Sequence, residues 1–350
     1  MKTRLYFTWL ALIILVFSLG CNRLFKNSLS PSGLGSGQVK YRMIRPNVAS
    51  EDMLRMFSEP ELWEQALKDV NMFGFYNGHA KYNFPMGGPN TLSSFLNVVP
   101  GGAFRWLGER NIKINLEGGS VKPHNCGHPP DSEVNDALES IGNIQANGGF
   151  VWSLSMDEPF ISGLPLKGEE DPKNPFRPCK YTVEQTAKYV KYYIDSVHKS
   201  YPNIHIGWIE PYAYFTVDEI KSFTLALEKE GVRIPFFHLD FDPAYQDRNI
   251  SADIQELKNF FQGRGIEFGI IIIGGGGTDN ETAWSGAMTM ADRLHRTIGL
   301  GSQDYIIVQS WLDYPPTRDI EDLRLFPNNL PESDPTSLTG FFNHMMQLSK

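Results

Sequence analysis

FVWSLSMDEP, Phe150 to Pro159, is an apolar run of alternating small and large residues that ends abruptly in two carboxylates and a proline. It reads as a strand, and for one such strand a solvated acidic loop would be an adequate account of Asp157 and Glu158. Other strand-like runs end in acids as well: NLEGG at Asn115 to Gly119, GWIEP at Gly207 to Pro211 and FHLDFD at Phe237 to Asp242. Acids gathered at several strand ends point to the carboxyl-terminal mouth of a barrel, where strand-end side chains converge.

Working outward from that stretch, short apolar runs alternate eight times with longer segments of helical period, the pattern of successive strand-helix units around a parallel sheet. The strands are expected at Val39 to Ile44, Met72 to His79, Ile112 to Glu117, the opening stretch, Ile204 to Glu210, Pro235 to Phe241, Phe268 to Ile273 and Tyr305 to Trp311. The seventh, FGIIII, is a continuous β-branched run suited to a strand buried on both faces. Helix one is expected to be interrupted by Pro60. The helix near Thr91 to Arg110 should break at Gly101-Gly102. Thr182 should cap the helix that follows strand four, with Glu184 or Gln185 near the capping-box position.

Eight units fit an α/β fold made of a single (β/α)8 TIM barrel, residues 38–350, with long loops after strands four and eight at Ile161 to Lys180 and Leu312 to Pro335. An open doubly wound sheet would normally carry a glycine-rich first turn with phosphate-binding spacing, which this chain lacks.

Ahead of the barrel, Lys2 and Arg4 precede an apolar run from Leu5 to Leu19 and then Gly20-Cys21. Residues 1–20 read as a signal peptide, and residues 21–37, rich in Ser, Gly and Asn, as a flexible tether. Without Lys2 and Arg4 the formal charge moves from −8 to −10. A chain this acidic, with no basic stripe, is not expected to bind nucleic acid. Two cysteines remain after Cys21. Cys126 and Cys179 form an even pair in an exported chain, for which a disulfide is the default. The alternative is a metal site, because His124, Cys126 and His128 alternate in KPHNCGHPP, although no further ligand cluster of standard spacing accompanies them. No metal or cofactor is assigned.

In a barrel strand alternate residues face the interior, so parity sorts the polar side chains. On strand six His238 and Asp240 share the inward face with Asp242. On strand three Lys113, Asn115 and Glu117 share it. Strict parity aims Asp157 inward and Glu158 outward, but pairing often lapses at the last residue of a strand. Pro159 is expected to keep the preceding backbone extended, which lets Glu158 reach the cleft. Glu210, before Pro211, raises the same question. Candidate ligand-binding side chains at or just past strand ends are Tyr76, Asn77, His79, Glu117, Trp208, Tyr212, His238, Gln309, Trp311 and Arg318.

Asp157-Glu158-Pro159 at the end of strand four resembles the Asn-Glu-Pro of clan A glycoside hydrolases. That resemblance implies a glycan substrate and Glu158 as the acid/base. The clan keeps its nucleophilic glutamate at the end of strand seven, where IIIIGGGGTDNE offers glycines, with Asp279 and Glu281 several residues on. Two pairings therefore stay open. Glu158 or Asp157 with Glu210, on neighbouring strands about 5 Å apart, would suit a retaining mechanism, and Asp240 across the mouth would suit an inverting one. Gly20-Cys21 resembles the lipobox of bacterial lipoproteins, with Ser18 where that motif usually has Leu. It implies lipidation at Cys21 and a membrane-anchored location, periplasmic or at the cell surface. Two other functions fit the same barrel: a non-catalytic glycan-binding surface lipoprotein, and a phosphosugar isomerase or aldolase using Gly274 to Gly277 as a phosphate loop.

Overall fold

The computed structural model describes residues 39–47, 50, 52–82, 90–165, 178–212, 214–241, 250–274, 280–310 and 328–350. Its strands are β1 (Tyr41–Arg45), β2 (Met72–Tyr76), β3 (Lys113–Gly118), β4 (Val151–Asp157), β5 (His205–Pro211), β6 (Phe236–Phe241), β7 (Glu267–Gly274) and β8 (Tyr305–Ser310). Each pairs in parallel with the next, and β8 returns to β1 to close the barrel, Tyr41 opposite Tyr305 and Arg45 opposite Gln309.

The helices follow from the punctuation of the chain. Pro60 opens a 3-10 turn, Pro60–Trp63, that separates α1 (Asp52–Ser58) from α2 (Glu64–Asp69). Between β2 and β3 the segment divides into α3 (Leu92–Asn97) and α4 (Gly102–Glu109), with Gly101 at φ 80° between them, a conformation glycine adopts without steric cost. The remaining helices are α5 (Asp131–Ala146), the short α6 (Pro159–Gly163), α7 (Val183–Ser200), α8 (Val217–Lys229), α9 (Ile250–Gln262), α10 (Asn280–Ile298) and α11 (Leu338–Leu348). Thr182 caps α7 by accepting the Gln185 N–H at 3.2 Å, while the Gln185 side chain accepts the Thr182 N–H at 2.9 Å. Of the two capping-box candidates, the structure selects Gln185.

Two apolar layers result from the period-two alternation of the strands. Outward residues such as Phe73, Leu116, Leu154, Trp208, Phe237 and Ile270 pack under the helices in the main core. Inward residues Tyr41, Met43, Met72, Ile209, Phe236, Ile271 and Tyr305 fill the lower and middle barrel as a separate cluster. Strands three, five and seven each run one residue past the expected end, to Gly118, Pro211 and Gly274, and two other ends bear on the site. Strand one runs one residue further, to Arg45, and strand two stops at Tyr76, after which Asn77–Ala80 wind into a 3-10 turn. Gly274 owes its place to packing, since a Cβ there would lie 2.7 Å from the Trp284 ring. The rest of the proposed phosphate loop, Gly275 to Gly277, lies outside the described residues.

Candidate active site

The upper barrel is polar, and its centre is a residue the sequence reading did not single out. Arg45, at the end of β1, is fully buried. It pairs with Glu117 of β3, donates to Asn115 Oδ1 at 2.6 Å and donates to Gln309 Oε1 of β8 at 2.8 Å. Because β1 and β3 are not neighbours, the bonds to Glu117 and Asn115 can only cross the barrel interior. The stem of Arg45 lies over Gly74 of β2, where a Cβ would come within 2.7 Å of Nε. Gln309 Nε2 donates in turn to the Tyr76 hydroxyl at 2.9 Å, and Asn115 Nδ2 donates to Ser153 and Ser155 of β4 at 2.8 and 2.9 Å. Lys122, in the segment after β3, pairs with Asp157. A buried arginine in an ion pair is expected to need this many partners, since an uncompensated charge in such a place is strongly unfavourable.

Acids gather around this network. Burial raises the Glu117 carboxyl from 4.5 to about 7, with Arg45 pulling the other way and Asp157 adding to the rise. Glu158 is raised from 4.5 to about 8, first by burial and then by the charge of Asp157, against the opposing pull of Lys122 and with a further push from Glu117. The Tyr76 hydroxyl is held well above its usual value by burial, and Glu117, Asp157 and Asp240 all act on it in the same direction. Asp240 shares the inward face of β6 with His238, which stacks on Phe236 at 4.5 Å and lies 4.6 Å from Tyr305. Burial, with Arg45 second, keeps His238 well below its ordinary value, so it is neutral at pH 7. Its two ring nitrogens have no hydrogen-bond partner among the described residues.

Glu158 reaches this group by a route that parity and Pro159 did not suggest. Its backbone is left-handed, φ 48° and ψ 50°, not extended. That conformation is uncommon outside glycine and carries strain of about 1–3 kcal/mol. It breaks the alternation of β4 and sets the carboxyl where burial first, and then the charges of Asp157, Lys122 and Glu117, act on it.

Glu117, Asp157, Glu158, Asp240 and Gln309 are thus brought together at the upper barrel, His238 lies beneath them against Phe236 and Tyr305, and four other candidates are elsewhere. Glu210 is fully buried and takes the same side of β5 as Trp208. Its Oε1 accepts the Phe160 N–H at 2.6 Å and its Oε2 the Ile161 N–H at 3.3 Å, so it faces α6 and not the mouth. Trp208 packs beneath the helices, 4.7 Å from the Phe223 ring and 5.4 Å from Phe237, with no face for a sugar. Tyr212 lies against Phe241, and its hydroxyl donates to Asp253 of α9 at 2.7 Å. His79 is buried among Phe75 and Phe95, and its Nδ1 accepts the Tyr76 N–H at 3.3 Å. For all four, alternation or a local turn sends the side chain to the helix side. Asn77 is half-buried; its carbonyl accepts the Ser140 hydroxyl at 3.0 Å and its amide lies against Gly118. Trp311, Arg318, Asp242 and Cys21 lie outside the described residues.

Cys126 and Cys179 form a disulfide, with Cα atoms 5.1 Å apart, joining the loops after β3 and β4. The sulfur of Cys126 is therefore not a thiolate ligand, and His124 pairs instead with Glu133. The metal alternative at that motif falls with it.

No family model and no curated protein matches the sequence. Several solved structures share the fold. The catalytic domain of an endo-β-1,4-mannanase from Bacillus sp. JAMB-750 aligns with a TM-score of 0.52 at 11% identity, over 88% of this chain and 86% of that one. A glucosidase from Croceicoccus marinus aligns at 0.50 and 13%, over 91% of this chain and 69% of that one. An intracellular xylanase from Thermoanaerobacterium saccharolyticum, solved with xylotetraose, aligns at 0.50 and 13%, over 79% and 89%. At these identities the likeness establishes the barrel, and residue roles rest on the site itself.

Proposed function

We propose that the protein is a glycoside hydrolase in which Glu158 donates the proton to the departing sugar oxygen. The observation that carries this reading is the left-handed turn at Glu158, which delivers a carboxyl raised to about 8 into a group of other acids. A general acid must hold its proton near neutral pH, and burial beside a second carboxylate is the usual physical means. The glycosidase barrels that share the fold supply consistent context.

A second carboxylate must act on the opposite side of the sugar. Glu210 is withdrawn from that role by its burial under α6. Asp240 stands on β6, two strands from β4. That places it across the mouth and not on a neighbouring strand, the wider spacing that leaves room for an attacking water. We therefore assign Asp240 as the base and expect inversion at the anomeric carbon.

Purified protein should be screened against a panel of polysaccharides and aryl glycosides, with the anomer first released identified by proton NMR. Glu158→Gln is expected to lower turnover by roughly 10² to 10⁴ while leaving ligand affinity nearly intact. An unchanged rate in that variant sinks the assignment. Retention of configuration, or azide rescue of an Asp240→Ala variant, removes Asp240 as the base. Glycan binding without any cleavage favours a non-catalytic glycan-binding protein. We further propose export and lipid anchoring at Cys21; Cys21→Ser should abolish detergent partitioning, and unchanged partitioning overturns the anchor.

A further inference from the structure

The acid on β5 that cannot reach the mouth has another task. We propose that Glu210 is the positioning residue that keeps Glu158 in its left-handed turn, an inference that rests on the reading of Glu158 as the proton donor. The starting point is the first turn of α6, whose leading N–H groups have no partner within the helix. Pro159 stands first and has no N–H to satisfy. Phe160 and Ile161 follow, both fully buried, and both donate to the Glu210 carboxyl at 2.6 and 3.3 Å.

An acid at the N-cap would ordinarily do this itself. In the extended backbone typical of that position, its side chain folds back to accept from the second or third N–H of the helix. Glu158 occupies the N-cap of α6, yet it is left-handed and makes no capping bond. Capping has been transferred to the neighbouring strand, and the Glu158 carboxyl is released to the mouth. The transfer is built in on both sides. The Glu158 N–H donates to Ile209 O at 3.2 Å, one residue from Glu210, and Glu158 O accepts the Ser162 N–H at 3.1 Å. Phe160 anchors the turn from beneath, its ring 4.2 Å from Phe215 and 4.7 Å from Phe223.

Removing the Glu210 carboxyl leaves two buried N–H groups without an acceptor. The nearest remedy is for Glu158 to relax to extended backbone and cap its own helix, which takes the proton donor out of the mouth. Glu210→Ala tests this directly. A crystal structure of the variant should show Glu158 outside the left-handed region with its carboxyl on Phe160 or Ile161. A Glu158 that stays at positive φ overturns the inference, whether or not the protein has yet been seen to cleave anything.

Kinetics give an independent reading on phenyl and dinitrophenyl glycosides of the sugar the parent accepts. Phenoxide needs protonation to leave and dinitrophenoxide does not. Glu210→Ala should lower kcat on the phenyl glycoside by roughly 10- to 100-fold at unchanged KM, and leave the dinitrophenyl rate within about twofold. In the Glu158→Gln background the same substitution should have no further effect, because no donor is left to position. A purely structural role would slow both substrates and both backgrounds alike. Glu210→Gln keeps one oxygen for the Phe160 N–H and should recover most of the phenyl glycoside rate; it also serves if the alanine variant does not fold. If Glu158→Gln cleaves at the parent rate, the proton-donor reading fails. If only the Glu210 variants behave as the parent, the positioning role fails alone.

Discussion

Glu158 and Glu117 carry their charge reluctantly, and this sets how the protein should respond to pH. Both have folded values above the ordinary 4.5, about 8 and about 7, with burial the leading cause. Between 4.5 and those values the folded chain holds more protons than the unfolded one, so stability falls as pH rises through that window. This is opposite to the common case of an ion-paired carboxylate. Glu158→Gln removes one of the two groups responsible. The variant should therefore melt higher than the parent at pH 8, by at least about 2–4 °C, the shift that 1 kcal/mol gives in a large domain, and the gap should shrink at pH 5. Thermal denaturation at the two pH values decides it; a variant less stable than the parent at pH 8 would count against a strained, charge-averse donor. Activity should move in the same direction, falling as pH rises through about 8 and the donor loses its proton.

At the scale of elements, the polarity of the site depends on loops that tie neighbouring strands together. The Cys126–Cys179 bridge spans 53 residues of sequence. The Cys179 N–H donates to Ser162 O at 2.9 Å and the Tyr181 N–H to Gly163 O at 2.7 Å, so the bridge holds the end of α6 against the segment that carries Lys122. Replacing both cysteines by serine should lower stability by about 2–4 kcal/mol and loosen the Lys122–Asp157 pair. Urea denaturation with and without reductant is the measurement, and a parent whose midpoint ignores reductant would exclude the bridge. Here the sequence was a good guide, because a strand-helix period repeated eight times, a proline inside helix one and a Thr-x-x-Gln cap are all local signals. It was a poor guide at strand ends. Glu158 and Glu210 each precede a proline, yet one is turned into the mouth and the other out of it. The difference comes from a left-handed residue and from capping bonds that run from α6 to the neighbouring strand β5, which no local pattern encodes. Arg45 was missed for a simpler reason, one residue too few in β1, although its parity with Tyr41 and Met43 points inward. Lys122 had no sequence signal.

Across the whole molecule, Arg45 joins the first and last strands of a barrel that must close to have a mouth at all. Through Glu117, Asn115 and Gln309, and onward to Tyr76, Ser153 and Ser155, it links β1, β2, β3, β4 and β8. The expectation for such a centre is asymmetric. Arg45→Met leaves Glu117 buried without its cation, and the loss should be about 3–5 kcal/mol, the usual effect of orphaning one partner of a buried pair. Glu117 is already raised to about 7 against the pull of Arg45, so in that variant its value must climb further and the loss should be larger at pH 9 than at pH 5. Converting the partner as well, in Arg45→Met with Glu117→Gln, removes the unpaired charge and should recover most of the deficit and its pH dependence. Urea midpoints of the two single variants and the double variant, read at both pH values, complete the cycle. If the double variant is as unstable as the sum of the singles, the pair does not act as a unit. Barrel closure would then rest on the apolar layers and the strand ladder alone.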